Sequence, residues 1–195
     1  MTDRNPSATG TDVRRKGRRT LLLLVAVVLA PVIASYAAYY VFPREKRANY
    51  GELLPTRPAP PIEGKTMDGK PFALAQWRGK WVLVVAAPGA CDAACTAKLY
   101  ATRQARTIQG REMERVQRIW LVTDGGSPDP LLIAQHPDLA IARVPSEALA
   151  GLPAGIARIY LVDPLGNLVL AFPSDSDIKR TAKDIERLLR ASRIG

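Results

Sequence analysis

Histidine occurs once in the 195 residues, and cysteine only twice, at Cys91 and Cys95. That scarcity excludes a disulfide-dense scaffold. It also excludes a closed tetrahedral zinc site built from cysteine and histidine, which takes about four such ligands. A Cys–His or Ser–His–Asp hydrolase would depend on His136 alone. That residue precedes Pro137 at a predicted helix end, where a solvated or capping role is expected rather than a ligand role. Acidic residues are the scarcer charge, 18 Asp+Glu against 28 Lys+Arg, for a net charge of +10. The excess is not a nucleic-acid footprint. Much of it lies in Arg4, Arg14, Arg15, Lys16, Arg18 and Arg19, and the rest alternates in sign along the chain. There is no basic stripe with interleaved aromatics, no zinc finger and no helix-turn-helix pattern, so no nucleic-acid partner is expected. Apolar residues make up 47% and charged residues 24%, the composition of a folded chain.

No charge interrupts residues 20–42, TLLLLVAVVLAPVIASYAAYYVF. A helix needs about 20 mostly apolar residues to cross the hydrocarbon layer. Pro31 is tolerated in such a helix when the freed backbone groups are re-satisfied locally. Tyr36, Tyr39 and Tyr40 gather toward one end, as amphipathic rings do at the lipid–water interface. Residues 1–19 carry the denser basic cluster; Arg44, Lys46 and Arg47 on the other side are diluted by Glu45. The positive-inside rule therefore predicts a cytoplasmic tail over 1–19, a transmembrane helix over 20–42 and a periplasmic remainder. The expected location is the inner (plasma) membrane, single-pass. A cleaved signal peptide ending near Ala34-Ser35-Tyr36-Ala37 is the alternative; the apolar run continues past that point, which favours a retained anchor.

Residues 43–61 read as a proline-rich linker. Pro43, Pro55, Pro58, Pro60 and Pro61 disfavour helix and bias the chain to an extended path. Residues 62–195 then form one domain, long enough for a real core. Asp68-Gly69 predicts a hairpin turn. Lys80–Ala87 is a continuous apolar run, as a strand buried on both faces should be, and Arg115–Thr123 reads as a second buried strand. Between them, Cys95, Leu99, Thr102 and Ala105 recur at helical spacing. A short helix near 130–135 and a short strand near 140–144 follow. Arg158–Val162 and Asn167–Phe172 pair across Asp163-Pro164-Leu165-Gly166, a type I turn sequence. The last helix is expected to start at Ser174 or Asp175, with Ile178, Ala182, Ile185, Leu188 and Leu189 on one face. Lys179, Arg180, Lys183, Arg187, Arg190 and Arg193 fall on its outer side, most simply a solvated face. The order predicts an α/β sandwich, with helices covering a mixed central sheet. Trp81 and Trp120 are expected in the core, and Trp77 partly exposed.

The cysteines form Cys91-Asp92-Ala93-Ala94-Cys95, directly after a predicted strand and the Pro88-Gly89-Ala90 turn. Cys91 would lie at or before a helix N-cap, where free N–H groups and the helix dipole stabilise a thiolate. Cys95 would lie one turn in, near enough to bridge if the backbone at Cys91 has left the helix. Such a pair can exchange disulfides, or hold a soft ion such as Cu(I). It can also be two small core residues, or a structural disulfide, although a loop this short gains little from closure. Asp92 is a hard ligand, ill matched to Cu(I), and its charge tends to raise the thiol pKa values.

Three stretches then resemble the Sco/SenC branch of the thioredoxin superfamily. They are Thr66-Met67-Asp68-Gly69-Lys70-Pro71-Phe72-Ala73-Leu74, Trp77-Arg78-Gly79-Lys80-Trp81-Val82-Leu83-Val84, and the Cys-x-x-x-Cys pair. The strand ending Trp120-Leu121-Val122-Thr123-Asp124 and the Tyr160–Gly166 hairpin continue the match, which covers roughly residues 62–190. The resemblance implies a thioredoxin-like sandwich behind an N-terminal transmembrane helix. It also implies Cu(I) as the metal, Cys91 and Cys95 as its sulfur ligands and as the redox pair, and a role in assembling the copper centre of cytochrome c oxidase. Oxidase subunits or other assembly factors would be the partners. The chain departs from the family at three places. Gly155 stands where the family's copper histidine is expected, Thr96 follows the second cysteine in place of proline, and Ala157 stands about where the thioredoxin branch proper has its cis-proline. With the third ligand missing, thiol exchange is expected ahead of copper transfer. A non-catalytic assembly scaffold on a degenerate thioredoxin fold is the rival reading. A general periplasmic disulfide reductase or a peroxiredoxin-like enzyme is a third.

Overall fold

The computed structural model describes residues 10–41 and 49–192. They fall into two units that divide between Arg47 and Ala48. The first unit is one helix, α1 (Gly10–Val41), which starts inside the stretch expected to be a tail and runs through Pro31. Residues 1–9 of that tail and residues 42–48 of the expected linker lie outside the described residues. None of Thr20–Ala37 is buried, and among the described residues α1 is the one helix long and apolar enough to cross a membrane.

The second unit is built on a single mixed sheet. Its strands are β1 (Glu52–Pro58), β2 (Glu63–Thr66), β3 (Pro71–Ala73), β4 (Trp81–Ala87), β5 (Val116–Val122), β6 (Leu139–Arg143), β7 (Ile159–Val162) and β8 (Asn167–Phe172). They lie in the order β1-β8-β7-β4-β5-β6-β2-β3. β4, β5 and β6 are parallel, with Trp81 opposite Val116 and Arg118 opposite Leu139. β7 runs antiparallel to β4. Every residue of β4 is buried, which is why its sequence does not alternate. Leu83 and Val85 face one layer, Val82 and Val84 the other. Burial of each such side chain contributes about 1.5–3 kcal/mol.

The helices cover one face of the sheet. α2 (Ala93–Thr107), the short α3 (Pro130–Ala134) and α4 (Ile178–Ala191) pack there, through Cys95, Leu99, Ala105, Leu132, Ala182, Ile185 and Leu189. The opposite face is closed by Leu54, Ile62, Phe72, Leu74, Leu149 and Leu152, from strand ends, loops and short 3-10 turns. One expectation is corrected: the extended spacer is shorter than the prolines implied. Residues 52–58 form β1, paired antiparallel with β8 from Glu52 opposite Ala171 to Pro58 opposite Asn167. The register slips between Leu53 and Arg57, around Pro55. An edge strand tolerates proline because one side of it has no partner awaiting an N–H. Leu54 supplies the burial that holds the strand in place.

The final helix starts later than expected. Asp177 is its N-cap, and its carboxylate accepts the Arg180 N–H at 2.9 Å. The Ser176 hydroxyl is 2.8 Å from that of Thr181. Ile178 and Leu188 are half-buried and Ala182, Ile185 and Leu189 fully buried, as the periodicity predicted. Lys179, Arg180, Lys183, Arg187 and Arg190 are exposed; Arg193 lies outside the described residues. Asp184 on the same helix is buried, and accepts the backbone N–H groups of Tyr50 and Gly51 at 2.6 and 2.9 Å. That ties the start of the domain to its last helix.

His136 is not solvated. It is 3% exposed, its Nδ1 3.3 Å from Nη2 of Arg118, which is 0% exposed. A guanidinium can only donate, so Nδ1 must accept and the ring is neutral. Arg118 also donates to the Leu99 carbonyl at 2.8 Å, to Thr102 Oγ1 at 3.3 Å and to Asp138 at 3.0 Å. Asp138 holds Arg106 at 3.2 Å as well. The network locks α2 onto β5 and the turn before β6. Burial pushes the His136 pKa down, and the Arg118 and Arg103 charges push it the same way. Burial alone would raise the Asp138 carboxyl, but the charge and hydrogen bond of Arg118 bring it below its ordinary value. Both groups bind protons more weakly when folded. The His136 contribution is therefore present above about pH 6.5, its unfolded pKa, and is lost as pH falls toward the folded value. Unfolding of the wild type by denaturant should show stability declining below about pH 6.5; in His136→Gln that segment of the profile should be flat.

Candidate functional site

β4 ends at Ala87, and its carbonyl accepts the Trp120 indole N–H at 3.3 Å. The chain then turns through Pro88, Gly89 and Ala90, with the Cys91 N–H donating to the Pro88 carbonyl at 3.2 Å. Asp124, just after β5, accepts the N–H groups of Gly89 at 2.8 Å and Gly126 at 3.1 Å. The loops after β4 and β5 press together backbone to backbone here. A Cβ at Gly89 would lie 2.4 Å from the Gly126 carbonyl oxygen, so only glycine fits. The turn delivers the chain to Asp92, the N-cap of α2, whose carboxylate accepts the Cys95 N–H at 2.8 Å.

The cysteines are placed as the spacing predicted. Cys91 lies outside the helix with φ +32°, and Cys95 lies one turn inside it. Their Cα atoms are 5.1 Å apart and the sulfurs form a disulfide. A positive φ is uncommon for a residue with a Cβ; at Cys91 it swings the side chain back over the first turn of α2. The two sulfurs differ in access. Cys91 is half-buried, whereas Cys95 is 1% exposed, packed with Ala87 and Leu99. Thr96, where the resemblance places proline, donates its hydroxyl to the Asp92 carbonyl at 3.0 Å. Its oxygen is 3.9 Å from Cys91 Sγ.

Sequence reasoning missed one residue here, Lys98. It is 6% exposed, and its ammonium donates to the carbonyls of Ile156 at 3.1 Å and Ala86 at 3.4 Å. Burial pushes its pKa down, partly offset by the charge of Asp92. The signal was available: residues 95, 98, 102 and 105 follow a three–four repeat along one helix face. Ile156 belongs to the single turn Gly155–Ala157, so Lys98 joins α2 and the end of β4 to the segment where the family's histidine is expected. Gly155 has φ +61°, a conformation that favours glycine, and a Cβ there would meet nothing within 4 Å. Trp81 and Trp120 are core residues and Trp77 is half-buried, as expected.

Among the described residues, no group of three or more His, Cys, Asp or Glu side chains could hold a metal ion. His136 is committed to Arg118 and does not join the cysteines. Two soft sulfurs suit Cu(I), but among the described residues no histidine or carboxylate completes a group of three with them.

A mixed sheet with a cysteine pair at the start of the helix after a central parallel strand defines a thioredoxin-like protein. A family model described as "Transmembrane-like, thioredoxin-like, C-terminal domain" matches residues 81–192, and a companion "Transmembrane-like, N-terminal domain" model matches residues 11–41. The chain belongs to that transmembrane-like, thioredoxin-like family. No curated protein sequence matches it. Solved structures share the fold. Copper-bound Sco1 from yeast is 17% identical with a TM-score of 0.58, over 71% of this chain and 96% of that one. BsSco, described as a member of the Sco family of cytochrome c oxidase assembly proteins with a disulfide switch, is 16% identical (TM-score 0.55; 73% and 96% covered). The thioredoxin domain of a thiol-disulfide oxidoreductase from Bacteroides vulgatus is 18% identical (TM-score 0.53; 70% and 99% covered). At these identities the shared property is the fold. The Sco/SenC resemblance read from the sequence thus meets Sco structures among those of like fold.

Proposed function

We propose that this protein is a membrane-anchored thiol–disulfide exchange factor of Sco type. Its domain acts on the periplasmic side, and its work is to keep the copper-site cysteines of cytochrome c oxidase in the state that assembly requires. One observation carries the reading: an accessible sulfur, Cys91, is bonded at the N-terminus of α2 to a buried sulfur, Cys95. That asymmetry suits exchange. In the reduced protein the Cys91 thiolate attacks a partner disulfide. An S–S bond forms between Cys91 and the partner, the partner's own S–S bond breaks, and its second sulfur leaves as a thiolate. Cys95, deprotonated, then attacks Cys91 Sγ. The intramolecular disulfide closes and the partner departs as a dithiol, two electrons richer. The first turn of α2 favours negative charge on Cys91 through its free N–H groups and dipole.

Copper transfer is the weaker reading because the donor set stops at two sulfurs. A scaffold without redox work is favoured by the glycine at position 155. The deciding experiment is a full-length Cys91→Ser/Cys95→Ser variant in a strain lacking the wild-type gene, read by membrane cytochrome c oxidase activity. The exchange reading expects loss of activity that an added small-molecule thiol reductant partly restores. Unchanged activity would leave the scaffold.

A further inference from the structure

We propose that Lys98 is the fixed counter-charge of Cys95: a positioning residue that stabilises the buried sulfur as a thiolate when the Cys91–Cys95 bond opens, and so sets how oxidising the pair is. The proposal rests on the exchange reading above and deepens it.

Lysine is almost never fully buried unless paired with an opposite charge. Lys98 is buried, and its hydrogen bonds go to two neutral carbonyls, Ala86 and Ile156. A cation held there costs desolvation that two peptide dipoles offset only in part. The position explains the expense. Lys98 follows Cys95 by three residues on α2, so their Cβ atoms are neighbours, about 5–6 Å apart. Both side chains are buried where α2 meets the C-terminal end of β4: Cys95 packs with Ala87 and Lys98 bonds Ala86. The charge of Asp92 reaches the ammonium from the N-cap of α2, but the hydrogen-bond partners of the ammonium are both carbonyls while the disulfide is closed. A buried anion is created when it opens. A partner thiolate attacks Cys91 Sγ, the new S–S bond joins partner and Cys91, and the electron pair of the broken bond goes to Cys95 Sγ. A second thiolate of the same partner then attacks the mixed disulfide, releasing Cys91 as a thiolate and leaving the partner oxidised. The charge that develops on Cys95 appears in a dry site with a cation already in place, which is worth far more than the same pair in water.

A simple strap is the competing role: two hydrogen bonds tying α2 to β4 and to the 155–157 turn. A strap affects how hard the domain is to unfold. A counter-charge affects the dithiol–disulfide equilibrium, because stabilising the reduced form makes a pair more oxidising.

The experiment uses the full chain in detergent micelles at pH 7, equilibrated in dithiothreitol redox buffers of graded ratio, with the reduced fraction read by thiol alkylation and mass. The wild type, Lys98→Met, Lys98→Gln and Lys98→Arg are compared, each with its thermal unfolding midpoint. The expected result is an equilibrium constant for reduction about tenfold lower in Lys98→Met and Lys98→Gln, from loss of one close charge, and near wild type in Lys98→Arg. Lys98→Gln keeps a hydrogen-bond donor and serves if the methionine variant does not fold. A cycling pair whose equilibrium is the same in all four proteins, whatever their unfolding midpoints, overturns the assignment and leaves the exchange reading standing. A wild-type pair that does not cycle overturns both.

Discussion

A Cys95→Ala chain incubated with a disulfide-bearing partner is expected to accumulate as a mixed disulfide through Cys91. The buried sulfur that would release the partner is then missing, and release must wait for an external thiol. Intramolecular attack by a positioned group carries a very large effective concentration, so turnover of the trapped species should slow on the order of a hundredfold or more. The converse variant, Cys91→Ala, should form almost no adduct, because Cys95 is 1% exposed and packed with Ala87 and Leu99. Non-reducing gels and intact-mass spectra measure both. Adduct through Cys95 in the Cys91→Ala chain, at a rate near that of the other variant, would reverse the two roles.

The second large effect concerns stability. Arg118→Met keeps most of the side chain's volume and removes its charge. It strips the Leu99 carbonyl and Thr102 Oγ1 of a donor, leaves Asp138 with Arg106 at 3.2 Å, and leaves His136 Nδ1 without its proton donor. A buried acceptor left without its donor costs about 1–3 kcal/mol, and Leu99, Thr102 and His136 each lose one here, for roughly 3–5 kcal/mol together. For a domain of this size that lowers the unfolding midpoint by roughly 10 °C or more. Adding Asp138→Asn should recover little of the loss, because the carboxylate still holds Arg106 at 3.2 Å. A loss below about 1 kcal/mol in the single variant would mean that water or neighbouring groups replace Arg118. The effect bears on function, since Arg118 fastens α2 one turn beyond Cys95.

The parts of this fold that were legible in the sequence are those where one physical signal dominates. β4 is an unbroken apolar run because both its faces are buried, and β5 ends in one, Ile119–Val122, after Gln117 and Arg118. α2 and α4 carry apolar residues at helical spacing. The β7–β8 hairpin is announced by Asp163 and Gly166, and Asp163 accepts the backbone N–H groups of Leu165 and Asn167. The placement of the cysteines was legible because strand, turn and helix start put Cys91 before the helix and Cys95 one turn in; that the two bond was one of several readings the spacing left open. Signals that conflict were misread. Pro55 and Pro58 suggested a spacer, yet burial of Leu54 and pairing with β8 outweigh them at a sheet edge. A histidine before a proline suggested solvent, but its partner, Arg118, lies in a strand where a charge is itself unexpected. Lys98 looks like a surface lysine until α2 is docked and its ammonium is found bonded to the Ile156 carbonyl in the Gly155–Ala157 turn.

The central claim is that Cys91 and Cys95 interconvert between dithiol and disulfide under conditions a partner can impose. The most direct test is redox titration of the full-length wild type, with the state of both cysteines followed by alkylation and mass. The account predicts reversible two-electron behaviour in the range of exchange proteins, roughly −120 to −270 mV. A pair still oxidised well below about −300 mV, as structural disulfides are, would contradict it, as would a pair that never closes.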